Sequence, residues 1–194
     1  MNIKIEPEAQ FDSLSLGVKL YNYFDGFKRE EIQLFSYFSS ILFPYTKEPL
    51  SEWKYRYTLD QKTNYPFSAE LNAAIDIHLL NGNFEERSDF FIVTSKGMKT
   101  FDNIKDLLSF KNREIAINTA CTTSILMSFK ETERALLNDP ELKHKKEIEN
   151  NDNWINQDYI YDRILEISKE LGIPLDNLMI SSVSWLKYLS LTNN

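Results

Sequence analysis

The sequence predicts a mainly α-helical protein with one small β-hairpin. The arrangement it suggests is a winged-helix-like core with a long central helix and a C-terminal helical appendage. Three observations predict this. Apolar residues recur at three- and four-residue spacings through most of the chain. The stretch "LNAAIDIHLLNGNFEERSDFFIVTSKG", Leu71 to Gly97, reads as helix, glycine stop, strand, charged turn, strand and the start of a new helix. With only five Gly and six Pro in 194 residues, long structureless linkers are disfavoured.

In chain order, "LSLGVKLYNYFDGF", Leu14 to Phe27, places Leu16, Leu20, Tyr23, Phe24 and Phe27 at helical spacing, with Gly26 near the end. A second helix follows in "REEIQLFSYFSSILFP". Ile32, Phe35, Phe38 and Leu42 share a face, Glu30 and Glu31 sit where the helix dipole favours negative charge, and Pro44 closes it. "WKYRYTL", Trp53 to Leu59, alternates large side chains as a strand does. A helix from about Ser68 to Leu80 has Ser68 as N-cap and Gly82 as stop. The hairpin then turns about Arg87-Ser88-Asp89, with Phe91 and Val93 on one face and Phe90 and Ile92 on the other. "SKGMKTFDNIKDLLSF" opens the next helix with Ser95 as cap, and Met98, Phe101, Ile104, Leu107 and Leu108 as its apolar side. Arg113 to Leu137 reads as one long helix whose first two-thirds carry almost no charge, which suits a central post or half of a subunit interface. Residues 1–137 thus form the winged-helix-like domain. The charge-dense 138–153 stretch is a mobile connection, and 154–194 form a helical pair turned at Gly172 and Pro174.

Composition narrows the function classes. Net charge is −7, an unfavourable balance for a protein that lives on a phosphate backbone. The one cysteine, Cys121, excludes an internal disulfide and fits a reducing cytoplasm. "MNIKIEPEAQFD" lacks the apolar run of a signal peptide. The longest uncharged run, Ile115 to Phe129, has 15 residues, short of the ~20 that a membrane span requires. A cytoplasmic location is expected.

Catalytic constellations are thin. His78 and His144 have no zinc-binding spacing, one cysteine cannot build a thiolate cage, and no phosphate loop or nucleophile elbow is present. Cys121 with His78 forms a conceivable nucleophilic pair, although an ordinary buried thiol is the better reading. Glu52-Trp53-Lys54 has the Glu-x-Lys form of metal-dependent nucleases, with Asp25 as a remote partner. No parallel-sheet scaffold surrounds it. The expectation is a protein that is not an enzyme and carries no cofactor or metal.

In a DNA-reading winged helix, the helix before the wing carries Arg, Lys, Asn or Gln to the base edges. Here that helix has no Lys or Arg and carries Glu70 and Asp76. From Asn64 to Gly97, five acids (these two with Glu85, Glu86 and Asp89) oppose Arg87 and Lys96. Each acid brought within ~4 Å of a phosphate costs about 1 kcal/mol even in bulk water. The helix is apolar on two faces. Leu71, Ala74, Ile75 and His78 line one, Ala73, Ile77 and Leu80 the other, so a second surface is needed to cover it, either the long helix or a partner protein, and burial within the chain is the plainer reading. Candidate partner contacts are therefore Glu70, Ile77, Leu80, Glu85, Glu86, Arg87 and Asp89. The Lys96 to Arg113 segment is basic, and Lys96, Lys99 and Lys105 are candidate phosphate contacts; a solvated helix face is the plainer reading.

"LSLGVKLYNYF", "LFSYFSSILFP", the winged segment and the long uncharged helix together resemble the middle component of three-component ABC-type (SMC-like) anti-phage systems, the Lamassu type. The likeness runs from roughly Asp12 to Leu137 and is one of layout and hydrophobic signature. It implies a small winged-helix subunit without catalysis of its own. Such a subunit bridges an SMC-like ATPase and an effector, commonly a nuclease, in a bacterial defence complex, and touches DNA at most indirectly. The alternatives are a winged-helix transcription regulator and, further off, a nuclease built on Glu52 and Lys54.

Overall fold

Helix formation begins earlier than the apolar pattern suggests, because Pro7 occupies a first-turn position where its missing N–H is harmless. The computed structural model describes residues 6–46, 52–147 and 178–191, with positions 155, 166 and 169. Helix α1 spans Pro7–Phe24 and ends on Asp25 in the left-handed region, φ 58°. Helix α2 spans Arg29–Leu42. Its entry is held by Glu31, whose carboxylate accepts from the Lys28 backbone N–H at 2.7 Å.

Every residue of α2 from Ile32 to Leu42 is buried, so α2 is the central post. Helix α1, packed beside it, is buried from Phe11 to Val18. The sequence had placed the post in a single helix from Arg113 to Leu137. That segment is instead two helices, α5 (Lys111–Leu126) and α6 (Phe129–Leu137). The break has a local cause. Ser128 caps α6 by accepting from the Glu131 N–H at 3.4 Å, and donates to the Glu131 carboxylate at 2.8 Å.

The Trp53 to Leu59 alternation survives as burial but not as a strand. Tyr55 and Tyr57 point inward, and Lys54 and Arg56 outward. Only β1 (Thr58–Leu59) pairs, antiparallel, with β2 (Pro66–Phe67). Helix α3 spans Ala69–Leu80 with Ser68 at its N-cap, as the sequence predicts. The buried Gln33 side chain fixes that start by accepting from the Ser68 N–H at 2.9 Å and donating to its carbonyl at 3.1 Å. Gly82, at φ 68°, follows the end of α3.

The hairpin joins β3 (Phe84–Arg87) and β4 (Phe90–Val93) in antiparallel register, Phe84 opposite Val93. Ahead of α2, Phe27 exchanges two backbone hydrogen bonds with Phe91, at 2.7 and 3.0 Å, so β4 has a neighbour on each edge. Gly17 lets α1 meet this unit, since a Cβ there would lie 2.7 Å from the Phe84 ring.

Helix α4 covers Ser95–Ile104, and its cap is Thr94 rather than Ser95. The Thr94 hydroxyl accepts from the Gly97 N–H at 3.1 Å. The helix stops before Leu107 and Leu108, which are exposed and not part of its apolar face. Helix α7 (Pro140–Glu147) occupies the first half of the stretch read as a connection. Asp139 caps it, Pro140 starts it, and Leu142 is buried. Helix α8 (Leu178–Leu191) packs on α5 and α6, with Trp185 buried 5.7 Å from the Phe38 ring. Its side chains therefore complete the core of the first 137 residues. The turn at Gly172 and Pro174 lies outside the described residues. The architecture is mostly helical with two small antiparallel strand pairs. Among the described residues no helix is long and apolar enough to cross a membrane.

Candidate functional site

The two faces of α3 separate cleanly. Leu71, Ala74, Ile75 and His78 are buried, whereas Ile77 is half-buried and Leu80 is 86% exposed. Beyond Leu80, the β3–β4 hairpin presents Glu85, Glu86, Arg87 and Asp89, all exposed. Arg87 pairs with Glu85 at 2.9 Å, which leaves the wing tip acidic. Glu70 turns back to the α3 N-terminus, accepting from the Ser68 hydroxyl at 2.9 Å. It is half-buried and stands apart from the wing group.

One cation reaches the surface from elsewhere in the chain. Arg29, at the start of α2, pairs with Asp76 at 2.8 Å, donates to the Asn72 side chain at 2.9 Å, and lies 5.6 Å from the Phe91 ring. Asp76 is thereby offset, a pairing invisible to a charge count confined to residues 64–97.

The three lysines do not form a patch. Lys96 donates to the Asn81 carbonyl at 2.6 Å, capping the negative end of α3. Lys105 pairs with Asp102 at 2.8 Å, and that carboxylate holds its ammonium above the ordinary lysine value. Lys99 is exposed on α4.

The nucleophilic pair does not assemble. His78 Nε2 bonds the Gln10 carbonyl at 2.9 Å, Nδ1 accepts from Asn83 at 3.0 Å, and burial lowers its pKa. Both ring nitrogens are therefore engaged away from sulfur. Cys121 is fully buried on α5, and burial pushes its thiol up to about 12. Glu52 and Lys54 are exposed, flanking a Trp53 that stacks on Arg113. Arg113 is bonded to Asp12, near the start of α1, and Asp25 lies past the other end of that helix. Thirteen residues of helix separate the two by roughly 20 Å, so Asp25 does not join Glu52 and Lys54. Among the described residues, no three His, Cys, Asp or Glu side chains gather in a metal-holding group.

The most perturbed ionisable cluster lies in the core. The Asp12 carboxylate accepts from Arg113 Nε at 2.8 Å, from Arg113 Nη2, and from the Tyr55 hydroxyl at 2.5 Å. Ser36 links Tyr55 and Tyr57 at 2.8 and 2.7 Å. Arg113 lies 3.8 Å from the Trp53 ring centroid. Burial pushes the Asp12 carboxyl up against the pull of Arg113, while burial of the guanidinium is outweighed by Asp12 together with Tyr55 and Tyr57, which hold it above its ordinary value. An arginine does not give up its proton, so the guanidinium stays charged beside the Asp12 carboxyl. Sealed from solvent, this cluster ties α1 to α5 and to the Trp53–Tyr57 segment.

A cleft that the sequence does not announce opens beside the β3–β4 hairpin. Phe24, Phe27, Phe90 and Phe129 line its aromatic half, about 300 Å³, together with Asp25 and Glu31. It continues past Lys28, Glu31 and Phe129 into a polar half of about 650 Å³ bounded by Glu30, Glu133 and Asp89. Phe24 and Phe90 are 40% and 38% exposed, a wide opening for phenylalanine. The Phe129 ring sits 4.7 Å from Phe24 and 5.5 Å from Phe35. Phe90 closes on the chain at Gly26, where a Cβ would lie 2.5 Å from its ring. The Tyr65 hydroxyl donates to Glu133, and burial lifts the Glu31 carboxyl above its ordinary value. The rings come from three places in the sequence, Phe24 with Phe27, Phe90, and Phe129, and only tertiary packing brings them together. The Ser128–Glu131 capping box would have broken the long helix on paper and placed Phe129 at a helix start.

No family model matches this chain, and neither a curated protein nor a solved structure does.

Proposed function

We propose that this chain is a non-catalytic adaptor subunit with a winged-helix core. It bridges an SMC-like ATPase and an effector, a nuclease, in a bacterial anti-phage complex of the Lamassu type. The winged-helix assignment draws support from the chain order α1, Phe27, α2, α3, β3, β4, in which Phe27 bonds to Phe91 and so edges the hairpin. The adaptor role rests on one observation. The surface a groove reader would turn to duplex DNA carries an 86% exposed Leu80 beside an acidic wing, and α3 has no Lys or Arg of its own. An exposed leucine beside carboxylates repels a phosphate backbone and suits a protein partner.

Co-expression of the tagged full chain with the products of its flanking genes tests this. A stable complex that survives gel filtration at moderate salt is expected, with an interface above ~1,000 Å². A monomer that elutes apart from both products contradicts it. A transcription regulator would instead give a salt-sensitive specific band in a gel shift on the upstream region.

A further inference from the structure

We infer that the cleft between the wing, the α2 N-terminus and the α6 N-terminus is a docking site for a basic segment of a partner protein. One bulky apolar side chain of that segment seats among Phe24, Phe90 and Phe129, and Lys or Arg residues follow it into the carboxylate half. This rests on the adaptor reading, and it names the chemistry of one partner at a surface separate from Ile77 and Leu80.

Three features select that occupant. The aromatic half is open, and two phenylalanines stand exposed around a space large enough for one apolar side chain. Such an anchor buried among rings is what concentrates binding energy in small interfaces. The adjoining half has an acidic excess, and Asp25 adds a carboxylate at the aromatic end. Asp25, Glu30, Glu31, Asp89 and Glu133 oppose Lys28 and Lys130. An acidic peptide or a nucleic-acid backbone would therefore be repelled, whereas a guanidinium or ammonium gains both carboxylates and ring faces. The two halves are contiguous through Phe129, Lys28 and Glu31, so one segment of a few residues spans both.

The test uses the full chain and fluorescein-labelled synthetic dodecapeptides in a Gly/Ser host. One peptide carries a Trp followed by three Lys, the second has Glu for each Lys, and the third has Ser for the Trp. Anisotropy should show saturable, salt-weakened binding of the Trp–Lys peptide only. Glu30→Lys with Asp89→Lys, two charge reversals on the rim, should lower its affinity about tenfold, as two pairs of about 0.7 kcal/mol would. Phe90→Ser should lower it by a similar factor, with circular dichroism verifying the fold of each variant. Equal binding of the Lys and Glu peptides, equal binding without the Trp, absence of saturation, or indifference to the charge reversal each overturns the assignment. The adaptor reading fails separately. If the flanking gene products do not co-purify yet the peptide binds, the cleft stands without it. If the complex forms and the peptide does not bind, only the cleft assignment falls.

Discussion

Asp139 shows how a single capping residue sets a pH dependence. Its Oδ1 accepts from the N–H groups of Glu141 and Leu142 at 2.8 and 3.2 Å, while Oδ2 is buried with no hydrogen bond among the described residues. The Tyr37 hydroxyl is likewise buried and without a hydrogen bond among them. Burial pushes the Asp139 carboxyl up to about 7. In the unfolded chain the same group titrates near 4. Between about 4 and 7 the folded protein therefore holds a proton that the unfolded chain has released, and stability declines as pH rises through that window. Asp139→Asn keeps an acceptor for the two N–H groups and removes the charge. From pH 5 to pH 8 the natural chain should lose about 1–3 kcal/mol that the variant keeps, read by urea denaturation at both values. His78, whose lowered pKa acts in the opposite sense, is common to both proteins and cancels in the difference. A parallel pH response in the two proteins would show that Asp139 does not ionise in this way.

At the scale of elements, α3 has one buried and one exposed face, and stability alone separates them. Ile75→Ala should cost about 2–5 kcal/mol, because Ile75 is wholly buried. Leu80→Asp should change stability by less than about 0.5 kcal/mol, because little is packed against that side chain. Chemical denaturation of both variants checks this, and a large loss in Leu80→Asp would mean that its face is packed internally. The same helix shows what was legible in the sequence. Its Ser68 cap, its stop at Leu80, both hairpin strands and its buried face follow from periodicity and turn chemistry, which are local. Three boundaries were missed although local signals existed. Pro7 at the head of α1, the Ser128–Glu131 capping box and Asp139-Pro140 ahead of α7 each mark a helix start. In the 113–137 segment the uncharged run from Ile115 to Phe129 masked the cap. What no local pattern carries is pairing at a distance. Arg29 with Asp76, Arg113 with Asp12, and the gathering of Phe24, Phe90 and Phe129 arise only when α1, α2, α3, β4, α5 and α6 pack together.

Over the whole molecule, charge and shape point in different directions. The helix, strand-edge and hairpin order suits a body that lies in a DNA groove, yet the chain carries −7 and its wing tip is acidic. The chain's own cations do not reverse this. Arg29, Lys96 and Lys105 are each spent on an internal partner, namely Asp76, the Asn81 carbonyl and Asp102. The proposed adaptor role rests on this acidity and on the exposed leucine at the end of α3. The most direct measurement is hydroxyl-radical footprinting of Leu80 and the Glu85–Asp89 turn. It is run on the full chain alone, with its co-expressed partners, and with a 30-base-pair duplex in about 0.15 M salt. Partner proteins should shield Leu80 severalfold while the duplex leaves it as reactive as in the free chain. Shielding by the duplex, or none by the partners, would contradict the account.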